Sequence, residues 1–224
     1  MAGGRVEPEI EAPATRQRIL AAAAILFGGR GFHGTSTRAI AERVGISQPS
    51  LFHHFPSKAS ILTELVARDL APALARIIAY RSCADGAAPR LWAYLYDDTA
   101  SLVDSPFDAR GLYNDEVLAQ EELVALRDMR EELHRHTRDL LAEGVASGEF
   151  RPVSTDFAQQ VITGMLLDTI WVAGSGLSSD LERRPQEIAD FVLLGLLQRP
   201  TSLPQVREEA RRVRECVAAA AAKP

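Results

Sequence analysis

Residues Thr35 to Lys58, TSTRAIAERVGISQPSLFHHFPSK, constrain the fold of this 224-residue chain more than any other stretch. In the run Arg38 to Val44 the apolar residues Ile40, Ala41 and Val44 fall at i, i+1 and i+4, on one face of a helix. Gly45 can stop that helix at low cost, because Gly takes the left-handed C′ conformation. Ile46 anchors the turn. Ser47 suits the N-cap of a second helix, and Pro49 falls in that helix's first turn, where a missing N–H costs nothing. Leu51 and Phe55, four apart, form the second helix's inward face. Gln48, Ser50, His53 and His54 are left to point outward or sideways. Helix, short Gly-containing turn and helix is the arrangement that places a recognition helix in a DNA major groove.

The preceding residues complete a small unit. Thr15 to Arg30 reads as a helix, with Ile19, Leu20, Ala23, Leu26 and Phe27 in one apolar stripe. Gly28, Gly29 and Gly31 end it, and Thr35, Ser36 or Thr37 can cap the next helix. From Ala14 to Lys58 there are six cations (Arg16, Arg18, Arg30, Arg38, Arg43 and Lys58) against Glu42 alone, a net +5. The whole chain is −5, so the remainder carries −10. A basic module on an acidic body is expected when one part meets nucleic acid and the rest stays off it.

Phe27, Gly31–Phe32, Thr35–Ser36, Ile40–Ala41, Gly45–Ile46–Ser47 and the closing Leu51–Phe52–His53–His54–Phe55–Pro56–Ser57–Lys58 resemble the DNA-binding head of TetR-type transcriptional regulators. The resemblance covers residues 14 to about 62. It implies an all-α protein: a three-helix helix-turn-helix domain (14–58), then a helical ligand-binding and dimerisation domain (59–200), with a tail before (1–13) and after (201–224). Base reading then falls to Arg38, Gln48, Pro49 and Ser50. Arg suits guanine and Gln adenine in the major groove, and Pro offers contact to a thymine methyl. Phosphate positioning falls to Thr35, Ser36, Thr37, Phe52, His53, His54 and Lys58. Phe52 stands where the family usually has Tyr, so it can pack on sugar but cannot donate to phosphate. Each position also has a plainer reading: Arg38 as a solvated charge, His54 as a cap on the head's core, and Lys58 as the partner of a carboxylate in the following helix.

Beyond Ser57 the periodicity stays helical. A long helix carries Ile61, Leu62, Leu65, Val66, Leu70, Leu74, Ile77 and Ile78, and Pro72 should kink or break it. Ala87 to Asp104 and Asp115 to Val145 read as further helices. Ser154 to about Val172 and Pro185 to Leu197 are apolar over most of their circumference and need cover on more than one side. Two such helices would self-pair across a two-fold axis, through Val161, Met165, Ile188, Phe191, Val192, Leu194 and Gly195. The family implies the same homodimer. Thr201 to Pro224 reads as a weakly packed amphipathic helix.

The resemblance also implies an effector pocket in the body, with Trp92, Tyr96, Phe107, Tyr113, Met129, His134, Met165 and Trp171 as candidate lining. Asp97, Asp98, His136 and Asp168 are further polar anchors. Aromatics at helical spacing are equally ordinary core. The list suits an apolar or aromatic small molecule. The expected function is a repressor that binds a palindromic operator as a homodimer and is released by that effector. No Gly-rich phosphate loop, HExxH, GxSxG or Cys cluster supports an enzyme, and no cofactor or metal is implied. His134 and His136, two apart, diverge by some 200° on a helix. No run approaches the roughly 18 apolar residues of a membrane span. Cys83 and Cys216 lack CxxC spacing and are expected to be free thiols in a cytoplasmic protein.

Overall fold

The computed structural model describes residues 14–105, 120–175 and 180–221. Among them are nine α-helices: α1 Thr15–Arg30, α2 Thr37–Val44, α3 Gln48–His54, α4 Lys58–Arg81, α5 Ala87–Val103, α6 Val124–Ala146, α7 Thr155–Ser175, α8 Arg184–Leu196 and α9 Leu203–Ala221. An isolated antiparallel bridge joins Phe150 to Leu197. Among the described residues no helix is long and apolar enough to cross a membrane.

The head forms as the spacing predicts. Ile19, Leu20, Phe27, Phe32, Ile40, Leu51 and Phe55 are buried together. Gly45 has φ 77° and ψ 36°, and its N–H reaches the carbonyls of Ala41 and Glu42. That is the left-handed helix stop, which a side chain would strain. Ser47 caps α3 by accepting from the Ser50 amide at 3.2 Å. Ser57 and Ser60 form a reciprocal capping box at the start of α4.

Cations staple the head to α4. Arg16 pairs with Glu64, donates to the His54 carbonyl at 2.6 Å and lies 4.1 Å over the Phe55 ring. Lys58 Nζ donates to the Phe32 and Thr35 carbonyls at 2.7 and 2.8 Å and sits 4.2 Å over the Phe32 ring.

In the body α5 is the hub, packed against α4, α6, α7, α8 and α9. Its residues Ala87 to Leu95 are buried on every side. Glu149 caps its N-terminus with both carboxylate oxygens, each 2.9 Å from an amide, those of Ala87 and Ala88.

Three expectations are corrected. Helix α4 is not broken at Pro72: it runs from Lys58 to Arg81 with the proline inside it, because packing on both sides holds a turn that lacks one donor. Helix α6 starts at Val124, after an extended Gln120 and a 3₁₀ turn at Glu121–Leu123, so no single helix runs on from before Gln120; Asp115 itself lies outside the described residues. Helix α9 is not weakly packed. Leu203, Val206, Ala210 and Val213 are buried, and Arg207 and Arg214 reach Asp190 and Asp97, each at 2.8 Å.

Candidate DNA interface, effector cavity and dimer face

In the head, Ser36 is the cap of α2, its Oγ accepting from the Ala39 amide at 3.1 Å. Thr35 is not placed for phosphate. Its buried hydroxyl faces the carbonyls of Leu26 and Gly31 at 3.1 and 2.9 Å, where its one proton closes the end of α1. Thr37 Oγ1 accepts from Gln48 Nε2 at 2.9 Å, which ties α2 to α3 and sets the pitch of the second helix. Gln48 keeps a carbonyl oxygen and a second N–H for a base edge. Arg38 is exposed on α2 and holds Glu42 through Nε at 2.8 Å. Pro49, Phe52 and His53 are exposed; Ser50 and His54 are half-buried.

Among the described residues Lys58 pairs with no carboxylate. Burial lowers the pKa of its ammonium, and two of its N–H groups close the Phe32–Thr35 turn. That turn shapes an open hollow lined by Arg30, His33, Gly34, Thr35, Ser36, Thr37, Ala39 and Lys58, at the N-terminus of α2. Helix N-termini attract anions, so the hollow suits a phosphate. Arg30 and His33 were not foreseen; their position on either side of the Gly31 turn was the available signal.

The body contains a cavity of about 300 Å³. Leu70 and Ala73 of α4, Leu102 of α5, Leu133 of α6, and Ile162, Leu166, Leu167 and Ile170 of α7 make its apolar walls. Tyr94, Asp98, Asp69, Thr137, Thr163, Arg130 and His134 supply its polar groups. Desolvation pushes the Asp98 carboxyl up to about 6, against the pull of Arg76, whose Nη1 is 2.5 Å from Oδ1.

Of the candidate lining, His134 is in place, and so is the anchor Asp98. The other described candidates lie elsewhere. Trp92 is buried against α8, its Nε1 donating to Asp190 at 2.9 Å. Tyr96 stacks on Trp92 with centroids 5.1 Å apart and lies under Arg214. Met129 packs against the core outside the cavity. Met165 lines a separate groove between α7 and α8, and Trp171 is 58% exposed. Phe107 and Tyr113 lie outside the described residues. Asp97 is taken by Tyr80 and Arg214, and His136 meets Arg81 Nη1 at 2.7 Å. Burial and the neighbouring Arg135 and Arg81 lower the His136 pKa.

The outer face of α7 and α8 is apolar and open. Phe157, Val161, Phe191 and Leu194 are 62, 42, 69 and 48% exposed there. With Met165, Val192 and Gly195 they surround the groove between the two helices, except for Leu194, which stands beside it. Ile188 and Val192 are both buried within the protomer, and of the two only Val192 lines the groove. Phe157 and Trp171 were missed as members of this exposed apolar set. Ile162 lines both the cavity and the groove, so one helix, α7, separates them.

Comparison with known proteins places this geometry. Residues 19–65 match the family model for bacterial regulatory proteins of the tetR family, and residues 85–197 match a tetracyclin repressor-like C-terminal domain. The chain belongs to the tetR family: it is a DNA-binding transcriptional repressor and not an enzyme. It is 31% identical to the HTH-type transcriptional repressor KstR2 of Mycolicibacterium smegmatis over 203 residues, 83% of this chain and 93% of that one. It is 32% identical to the KstR2 of Rhodococcus jostii over 164 residues, covering 70% and 77%. Among solved structures it resembles AmtR of Mycobacterium smegmatis, with a TM-score of 0.77 at 29% identity over 92% of this chain and 98% of that one.

Proposed function

We propose that this repressor binds a palindromic operator as a homodimer and is released when a small, largely apolar effector fills the cavity among α4, α5, α6 and α7. One observation carries the reading: α4 belongs to both sites. Its first residue, Lys58, clamps the head's turn, and its Asp69, Leu70 and Ala73 form one wall of the cavity. A ligand that favours one position of that wall must also favour one position of the head. Pro72 lies in the same turn and gives no N–H to the helix ladder, so α4 is softest where the ligand would press.

The open α7–α8 face supplies the second copy. Exposed Phe157, Val161, Phe191 and Leu194 form a patch too apolar to leave in water, and self-pairing across a two-fold axis covers it. Two heads about 34 Å apart then read successive major-groove faces of one duplex.

In each head Gln48, Arg38, Pro49 and Ser50 read bases. Ser36, Thr37, His53, His54, Arg30 and His33 position the phosphates, and Phe52 packs on sugar. Lys58 and Thr35 act through the turn they hold. Gln48→Ala should weaken operator binding by about 1–3 kcal/mol and flatten the preference for operator over a mismatched site. Anisotropy titrations of both duplexes across salt check this. Equal loss on the two DNAs would remove Gln48 from base reading.

A further inference from the structure

We propose that the effector is an uncharged, largely apolar alcohol whose hydroxyl seats between Tyr94 and Asp98. The proposal rests on the cavity being the effector site and names the chemistry that site takes.

The cavity's polar groups differ in depth. Arg130, His134 and Thr163 are half-buried, whereas Tyr94 and Asp98 are buried on α5. Asp98 uses Oδ1 on Arg76 at 2.5 Å. Among the described residues Oδ2 meets only the Tyr94 hydroxyl, at 3.4 Å. Good O–H···O bonds lie at about 2.5–3.0 Å, so this one is stretched. A buried carboxylate oxygen short of donors is costly, and Asp98 and Tyr94 both line the cavity.

Four ligand groups can be weighed there. A hydroxyl accepts from Tyr94 and donates to Asp98 Oδ2, replacing one long bond by two ordinary ones. A ketone accepts from Tyr94 but leaves Oδ2 without a donor. A carboxylate seated at Tyr94 meets the buried Asp98, with Asp69 also in the lining, whereas Arg130 and His134 stand in the half-buried part of the cavity. An ammonium donates well, but at the buried end Arg76 already balances Asp98, the second acid Asp69 is only half-buried, and the leucine and isoleucine walls cannot solvate a second cation. The cavity, about 300 Å³, is at the small end for a ligand pocket, and most of its wall is aliphatic. The rest of the molecule is therefore compact and apolar.

The test titrates the full-length protein with two matched series, one linear and one caged. The first is decane, decan-1-ol, decan-2-one, decylamine and decanoic acid; the second is adamantane with the corresponding five groups. The alcohol should bind about tenfold or more tighter than its hydrocarbon, and tighter than its ketone, amine and acid, in at least one series. Tyr94→Phe removes only the hydroxyl and should erase that preference while keeping hydrocarbon affinity. Asp98→Asn should do the same and gives a second reading if either variant folds poorly. The proposal is overturned if no alcohol binds in either series, if the acid, amine or ketone matches the alcohol in both, or if its preference survives both substitutions. Operator release separates this from the broader reading. Probes that all bind and all release operator alike would sink the hydroxyl alone. Binding with no effect on operator affinity would sink the cavity as an effector site.

Discussion

Phe191→Asp is expected to leave each protomer folded, to convert the dimer to monomer, and to weaken operator binding by about 100-fold or more. Phe191 is 69% exposed, so its ring contributes little to its own protomer. In the dimer we propose, however, the same residue would meet the partner's copy of the α7–α8 face across a two-fold axis. Truncating a buried aromatic anchor costs about 2 kcal/mol or more, and the substitution also places like charges opposite each other. Loss of the second head adds the loss of effective concentration, worth about 10²–10⁴ in affinity. Sedimentation velocity gives the mass, circular dichroism the fold, and anisotropy the operator affinity. A variant that stays dimeric would place the interface elsewhere.

Phe55→Ala is expected to do the converse: abolish operator binding while the dimer persists. Phe55 is 1% exposed, beneath the Arg16 guanidinium, at the junction of α3 with α4. Replacing a buried Phe by Ala costs about 3–5 kcal/mol. The head's small core has little to set against that loss. Arg16 also loses the ring it lies on while still bound to Glu64 and the His54 carbonyl. Proteolysis should open the chain between α1 and α4, whereas the mass in solution stays that of a dimer. Tight operator binding by this variant would mean that the head tolerates a void at its centre. The two substitutions together separate the part that reads DNA from the part that holds two copies together.

The head was legible because its rules are local. Gly45, Ser47 and Pro49 act within their own turns, and Leu51 and Phe55 sit one helical turn apart. The cavity was harder because its lining depends on which way each helix is rotated. On α5, Trp92 and Tyr96 share one face, which packs against α8 and α9. Tyr94 and Asp98 share another face, offset by two residues or roughly 200°, and that one meets the cavity. Counting aromatics selected the face that packs on α8 and α9, and no spacing within α5 distinguishes the two. Thr35 misled for a related reason. Its neighbours Ser36 and Thr37 point where a hydroxyl was expected, but Thr35 turns inward to serve the carbonyls that end α1. The fate of α9 depended on Asp97 and Asp190, acids far away in sequence that hold Arg214 and Arg207.

The central claim is that two copies of the head, set by one dimer, read one symmetric DNA site. Selection of bound duplexes from a random pool by the purified full-length protein tests it most directly. The account predicts enrichment of an inverted repeat with half-site centres about one helical turn apart, lost in Phe191→Asp. Enrichment of a single unrepeated half-site, or of no sequence at all, would contradict it.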